Sequence, residues 1–167
     1  AGTGKTHTVQ TMLQELQRVL QDRSKPTEFV RIGAPTGTAA FNIRFGATTV
    51  HRLIHWFNPP HFTKLIDDQA LARLQAHFEQ TELIVLDEIS MIGRQMMGRI
   101  NSRLSQARDH KCARQETLGG VSLVGVGDPA QCEAMFDQQL YDTTIAKEKD
   151  ADRNSFDTVL LSNTGLG

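Results

Sequence analysis

The spacing of apolar residues along the chain predicts alternating helices and strands. Apolar side chains recur at helical spacing in three segments, residues 9–20, 71–78 and 92–104. Strands are predicted at residues 29–34, 83–86 and 121–126, and the second is a continuous apolar run, as expected for a strand covered on both faces. This alternation predicts an α/β fold with a doubly wound, mostly parallel sheet and ligand groups at the carboxyl ends of its strands.

Proline and small polar residues mark the breaks between these elements. The first helix is expected to end at residues 24–26, and residues 35–38 are predicted to form a turn before a short helix at 39–45. Residues 57–62 contain two prolines and are predicted to be a loop. The tail after Asp137 is polar and acidic, and no structural element or function is predicted for it.

The chain opens with Gly2-Thr3-Gly4-Lys5-Thr6, which matches the end of a phosphate-binding loop. Glycines let backbone N–H groups approach phosphates, the lysine neutralises the β and γ oxygens, and the threonine hydroxyl binds Mg²⁺. The leading glycine of the motif would precede the first residue, so we expect a piece of a longer protein. A glycine-rich turn before a helix is the alternative interpretation.

Two acidic residues, Asp87 and Glu88, follow the apolar strand at residues 83–86. This pattern is typical of the second nucleotide motif, in which the first acid holds Mg²⁺ and the second orients or deprotonates the attacking water. The alternative is an acidic helix N-cap after a core strand. The phosphate-binding loop lies upstream at a separation typical of one domain, and it favours the catalytic interpretation.

A third motif, Gly-Val-Gly-Asp-Pro-Ala-Gln, follows the strand predicted at residues 121–126. Gln131 is in a position to hydrogen-bond a γ-phosphate and report its loss. Asp128, which precedes Pro129, is alternatively a turn former.

Composition argues against several classes of protein but does not identify the function. The net charge of -1 gives no global argument for nucleic-acid binding, although residues 90–116 hold six Lys or Arg against two acids. A solvated helix face is favoured for that stretch over a DNA-facing surface. Two cysteines, Cys112 and Cys132, are too few for a zinc site or a disulfide framework. No apolar run reaches the ~18 residues of a membrane span, and no signal peptide is visible.

Five strings occur in the order found in Pif-type superfamily 1 DNA helicases, relatives of RecD, and the chain resembles the first motor domain of that family up to about Tyr141. They are Gly-Thr-Gly-Lys-Thr at 2–6, Ala-Pro-Thr-Gly-Thr-Ala-Ala at 34–40, Thr-Thr-Val-His at 48–51, Asp-Glu-Ile-Ser-Met at 87–91 and Gly-Asp-Pro-Ala-Gln at 127–131. The resemblance implies a RecA-like motor domain over residues 1–167 that uses ATP and Mg²⁺. It implies a monomeric motor that moves 5′ to 3′ on single-stranded DNA and has no membrane partner.

The resemblance also implies roles for individual residues. Lys5, Glu88 and Gln131 would be catalytic, and Thr6 and Asp87 would hold the metal. The full ATP site would comprise Gly2, Thr3, Gly4, Lys5, Thr6, Asp87, Glu88 and Gln131. The DNA contacts would comprise Pro35, Thr36, Gly37, Thr38, Ala39 and His51, where small residues and hydroxyls let a phosphate approach closely. An ordinary strand-to-helix turn and a structural histidine are the alternatives for these residues, and packing is favoured over base stacking for His55, Trp56 and Phe57.

Two departures from the family pattern affect these expectations. Cys132, Glu133 and Ala134 stand where many relatives have Leu-Pro-Pro, which removes support for a DNA role of that segment. The second motor domain, whose arginines reach the γ-phosphate, is not in this chain, so we expect weak Mg-ATP binding and slow turnover from these residues alone. Two alternatives stay open, an AAA-type remodeller and a degenerate nucleotide-binding module. The cellular compartment is not predicted.

Overall fold

A computed structural model describes residues 4–20, 26–56, 67–108, 116–134 and 137–140. Four strands form one sheet in which every neighbouring pair is parallel, in the order β2-β1-β3-β4. The strands are β1 (Val30–Ala34), β2 (Thr48–Thr49), β3 (Leu83–Leu86) and β4 (Ser122–Gly125).

Six α-helices accompany this sheet in the described part of the chain. They are α1 (Lys5–Val19), α2 (Pro26–Phe29), α3 (Gly37–Ile43), α4 (Val50–Leu53), α5 (Asp68–Phe78) and α6 (Arg94–Arg108). Short 3-10 turns at Ile89–Met91 and Thr117–Gly120 precede α6 and β4. None of the described helices is long and apolar enough to cross a membrane.

The central strand β3 is covered on both faces, as its apolar sequence predicts. Ile84, Val85 and Leu86 have no exposed surface. Successive side chains of a strand point to opposite faces, and Val85 accordingly belongs to one core cluster while its two neighbours belong to the other. Helix α1 packs on the Val85 side through Val9 and Leu13. The predicted α/β fold with a doubly wound parallel sheet is therefore confirmed.

Some predicted boundaries are wrong by a few residues. Helix α3 begins at Gly37 instead of residue 39, because the Thr36 hydroxyl accepts a hydrogen bond from the Ala39 N–H at 3.2 Å and caps the helix earlier. It ends at Ile43 instead of residue 45, since Arg44 and the residue after it have positive φ. Pro26 begins a one-turn helix that displaces the start of β1 to Val30.

Two elements, β2 and α4, have no counterpart in the sequence prediction. Each is only two to four residues long, and β2 forms because Thr48 and Thr49 pair with Gly33 and Ala34 of β1. The Thr49 hydroxyl then caps α4 by accepting from the Arg52 N–H at 3.4 Å. The loop predicted at residues 57–62 lies outside the described residues, as does most of the tail.

The interpretation of the basic stretch as a solvated helix face is wrong for part of α6. Arg103 and Arg108 are buried, with 2% and 6% of their surface exposed. The Arg108 guanidinium donates to the carbonyl oxygen of Thr81 and lies 3.5 Å from the Glu82 carboxylate. Trp56 is also buried, which agrees with the expectation that it packs inside the domain.

Candidate functional site

The segments that follow three strands are held side by side at one edge of the sheet. Gly33 of β1 is level with Leu86 of β3, which is level with Gly125 of β4. The hydrogen-bond ladder continues past the strands, since the Asp87 N–H donates to the Gly33 oxygen at 3.0 Å. The residues after each strand therefore converge on a common space.

A polar cleft of about 270 Å³ lies at this edge. Its lining residues are Thr6, Thr36, Thr38, Ala39, Asn42, Asp87, Glu88, Met91, Gln131 and Cys132. Four of them, from α1 and the segments after β3 and β4, are the residues expected to handle a nucleotide: Thr6, Asp87, Glu88 and Gln131. Side chains that are far apart in the sequence thus share one cleft.

The backbone around Glu88 has an uncommon conformation. Glu88 adopts the left-handed region, with φ 49° and ψ 48°, which costs a residue with a Cβ on the order of 1–3 kcal/mol. The following Ile89 N–H donates to the Val126 oxygen at 3.0 Å, and a Cβ on Gly127 would lie 2.8 Å from the Ile89 nitrogen. Close contact between the two motif segments therefore requires glycine at 127 and holds Glu88 at the cleft.

Lys5, the lysine of the phosphate-binding loop, is paired with an acid of the third motif. Its Nζ lies 3.6 Å from Oδ2 of Asp128. The hydrogen bond from the Ala130 N–H, and secondarily the charge of Lys5, lower the pKa of the Asp128 carboxyl. Gly4 has a left-handed φ of 79° at the start of α1, as glycine allows. The ammonium is thus held by a carboxylate near the helix N-terminus, where phosphate would bind.

The cleft offers oxygen donors suited to Mg²⁺, which prefers a few protein oxygens together with phosphate and water. Thr6 contributes a hydroxyl, and Asp87, 7% exposed, contributes a carboxylate. Within the described residues, no group of three or more His, Cys, Asp or Glu side chains is suitably placed for a metal. The two protein oxygens of Thr6 and Asp87 fit a Mg²⁺ ion that is also held by nucleotide phosphates and water.

An apolar groove of about 450 Å³ adjoins the polar cleft. Its lining residues are Pro35, Thr36, Val50, His51, Met91, Ile92, Gly93, Gln95, Met96, Arg99 and Asp137. Burial, and secondarily the nearby Arg99 guanidinium, lower the pKa of the His51 imidazole below its ordinary value of 6.5. His51 is consequently neutral at pH 7 and offers one donor and one acceptor to the groove.

The residues expected to bind DNA divide between these two spaces. Pro35 and His51 line the groove, Thr38 and Ala39 line the cleft, and Thr36 lines both. Gly37 lines neither, and no atom lies within 4 Å of where its Cβ would be. Gly2 and Thr3 lie outside the described residues. The roles assigned to these residues stay predictions.

Sequence reasoning missed several residues of the two spaces. Asn42 lines the cleft one helical turn after Thr38, a spacing that follows from the start of α3 at Gly37. Cys132 was noted only as a departure from the family pattern. The pairing of Lys5 with Asp128 had no sequence signal, because nothing in either motif specifies which acid faces the lysine when no phosphate is bound.

Comparison with known proteins agrees with this geometry. The model of a family described as an AAA domain matches residues 1–137. The ATP-dependent DNA helicase RRM3 of Saccharomyces cerevisiae is 31% identical over 133 residues, which are 77% of this chain and 16% of the yeast protein. The chain therefore spans about one sixth of the length of that curated relative.

Solved structures of Pif1 helicases are also similar. Bacteroides Pif1 bound to single-stranded DNA matches with a TM-score of 0.55 and 25% identity, over 80% of this chain and 28% of that one. The Bacteroides enzyme in complex with ADP-AlF3 and single-stranded DNA matches with the same TM-score and identity. Pif1 from Candida albicans matches with a TM-score of 0.59 and 26% identity, over 80% of this chain and 28% of that one.

Proposed function

The chain belongs to the AAA-domain family and is of the Pif1 helicase type, and from that premise we propose that it is the ATP-binding motor segment of an ATP-dependent DNA helicase. The observation that carries the proposal is the convergence of Thr6, Asp87, Glu88 and Gln131 on one cleft, beside Lys5. A turn-forming or capping role for any one of them would not require the others to be near.

Lys5 and the four motif residues that line the cleft each have a task in hydrolysis that their chemistry supports. Lys5 neutralises the β- and γ-phosphate oxygens once it leaves Asp128, and the α1 N-terminus adds the dipole of its backbone N–H groups. Glu88 orients and deprotonates the attacking water. Gln131 hydrogen-bonds the γ-phosphate and so responds to its loss. Thr6 and Asp87 would hold Mg²⁺, which supplies charge neutralisation across the β- and γ-phosphates.

The apolar groove is the proposed path of single-stranded DNA. Pro35, Thr36 and His51 line it, and Thr36 lines the cleft as well. A conformational change in the cleft on hydrolysis would therefore reach Thr36, which also lines the proposed DNA path. In the complete, monomeric enzyme this coupling drives translocation with 5′-to-3′ polarity. The polarity, and a place in DNA repair, recombination or telomere maintenance, follow from the family resemblance.

The test is the ATPase rate of the complete protein, with and without single-stranded DNA. We expect strong stimulation by DNA and loss of hydrolysis in the Lys5→Ala variant. Arg18→Ala, which removes one positive charge from an exposed position on α1, is the matched control and should hydrolyse ATP normally. Hydrolysis that ignores DNA would favour the AAA-type remodeller, and binding of ATP without hydrolysis would favour the degenerate module.

A further inference from the structure

Helix α6 has an unusual charge pattern, with four arginines and no acidic residue between Arg94 and Arg108. Three of the arginines contact polar groups and do not line the apolar groove. These contacts are Arg94 with the Gln138 side chain at 3.3 Å, Arg103 with the Gln106 side chain at 2.7 Å, and Arg108 with Thr81 and Glu82. Arg99 differs from them because it lines the groove.

The guanidinium of Arg99 lies over an aromatic ring. Its Cζ atom is 5.3 Å from the centre of the Trp56 ring, and that of Arg103 is 4.7 Å from the same ring. Trp56 is 7% exposed and belongs to the main core cluster. A planar guanidinium held against a buried ring loses less conformational freedom when a ligand binds than a free side chain would.

Arg99 also sets the charge of the groove. It is the only Lys or Arg among the described residues that line this space. His51 is neutral at pH 7, as its lowered pKa indicates. The Asp137 carboxylate accepts hydrogen bonds from the N–H groups of Gln95 and Met96, both at 3.2 Å. Its negative charge therefore interacts with the N-terminus of α6.

The remaining lining of the groove is largely apolar. Val50, Met91, Ile92 and Met96 are among its lining residues. A cation beside an apolar surface matches a ligand with an anionic group next to a flat apolar one. A nucleotide unit of single-stranded DNA has this combination, in its phosphate and its base.

We propose that Arg99, held against Trp56, binds a backbone phosphate of single-stranded DNA lying in the apolar groove. This inference rests on the proposed helicase function. It adds a phosphate contact from α6 to the groove that Pro35 and Thr36 also line. Because the contact is to a phosphate, it strengthens binding equally for all base sequences.

The test measures binding of fluorescein-labelled oligo-dT to the complete protein by anisotropy at several KCl concentrations. Arg99→Gln removes the charge and keeps a polar side chain, whereas Arg99→Lys keeps the charge. We expect Arg99→Gln to bind about 3- to 10-fold more weakly and the slope of log affinity against log salt to fall by about 0.7, while Arg99→Lys keeps the wild-type slope. Arg73→Ala removes an exposed charge that does not line the groove and should leave the slope unchanged.

The outcomes separate this inference from the function on which it rests. A wild-type protein that fails to bind oligo-dT would overturn both. Binding by the wild type that is unchanged in Arg99→Gln overturns the Arg99 contact alone. Weaker binding with an unchanged salt slope in both variants also overturns it, since that would show a packing role beneath the groove. Unchanged ATP binding in Arg99→Gln confirms that the fold is intact.

Discussion

The polar cleft and the apolar groove are neighbours that share Thr36 and Met91, yet they are built differently. The cleft combines residues of α1 and α3 with residues that follow β1, β3 and β4, and its geometry depends on backbone hydrogen bonds and on the left-handed conformation of Glu88. The groove consists mainly of side chains from α4, α6 and the turn between β3 and α6. The charged side chains also differ. Two carboxylates line the cleft, whereas the groove is lined by one guanidinium and one carboxylate.

Under the proposed function, this difference would let one sheet edge serve two ligands of similar charge. In the cleft, the carboxylates of Asp87 and Glu88 suit a metal and a water rather than bare phosphates. The phosphates would be met by Lys5 and by N–H groups of α1. In the groove, no described lining residue other than Asp137 is acidic, and that carboxylate is already engaged by α6. Thr36 and Met91, which line both spaces, connect the two.

The largest expected effect separates the chemistry of the cleft from binding in the groove. Glu88→Gln should slow DNA-stimulated ATP hydrolysis by about 10²–10⁴-fold, because the amide cannot accept the proton of the attacking water. Binding of ATP and of single-stranded DNA should stay near wild type, as measured by anisotropy. Glu15→Gln, an exposed change on α1, is the control. Loss of DNA binding in Glu88→Gln would show that the two spaces are not separate sites.

A second test uses Cys132, an exposed cysteine that lines the cleft and not the groove. Mg-ATP should slow alkylation of Cys132 about tenfold, since a bound nucleotide covers the cleft and reaction depends on access to the thiol. Oligo-dT alone should have little effect. The adduct on the peptide that contains Cys132 is measured by mass spectrometry. Protection that persists in Lys5→Ala, or that oligo-dT alone produces, would contradict the assignment of the two spaces.

The smallest expected effect concerns His77, a residue of α5 that lines neither space. The His77 ring lies 4.9 Å from the His55 ring, and burial, together with the charges of Arg31 and His55, lowers the pKa of His77 to about 4. The folded-state pKa lies below the ordinary value of 6.5, so between these pH values the unfolded chain binds the proton more readily. Stability should therefore decrease as the pH falls from about 6.5 to about 4.

The magnitude at pH 5 should be about 1 kcal/mol once solvent screening of this half-exposed group is allowed for. Thermal unfolding at pH 7 and pH 5 measures it, and His77→Gln should reduce the difference between the two Tm values. Equal pH dependence in the variant would mean that His77 is not the titrating group.

The parts of this molecule that were predictable share a local cause. Strands β1, β3 and β4 were recognisable because their own side chains are apolar, and α1 because its apolar residues follow the helical period. Asp87 and Glu88 were recognisable because they directly follow such a strand, and Gln131 because it ends the short motif that follows β4. The pair β2 and α4 was not, because Thr48 and Thr49 form a strand only through pairing with β1.

The sequence by itself predicted the α/β alternation, the sheet edge at which the motif residues meet and the kinds of side chain that line the cleft, because each depends on residues that are close together in the chain. Only the tertiary structure decided which of four similar arginines on α6 faces a groove, since that depends on partners such as Trp56 and Thr81 from other elements. It also decided that Lys5 meets Asp128, and that Thr36 stands between two ligand spaces. Contacts between distant segments depend on how helices and strands pack, and no local pattern of residues records that packing.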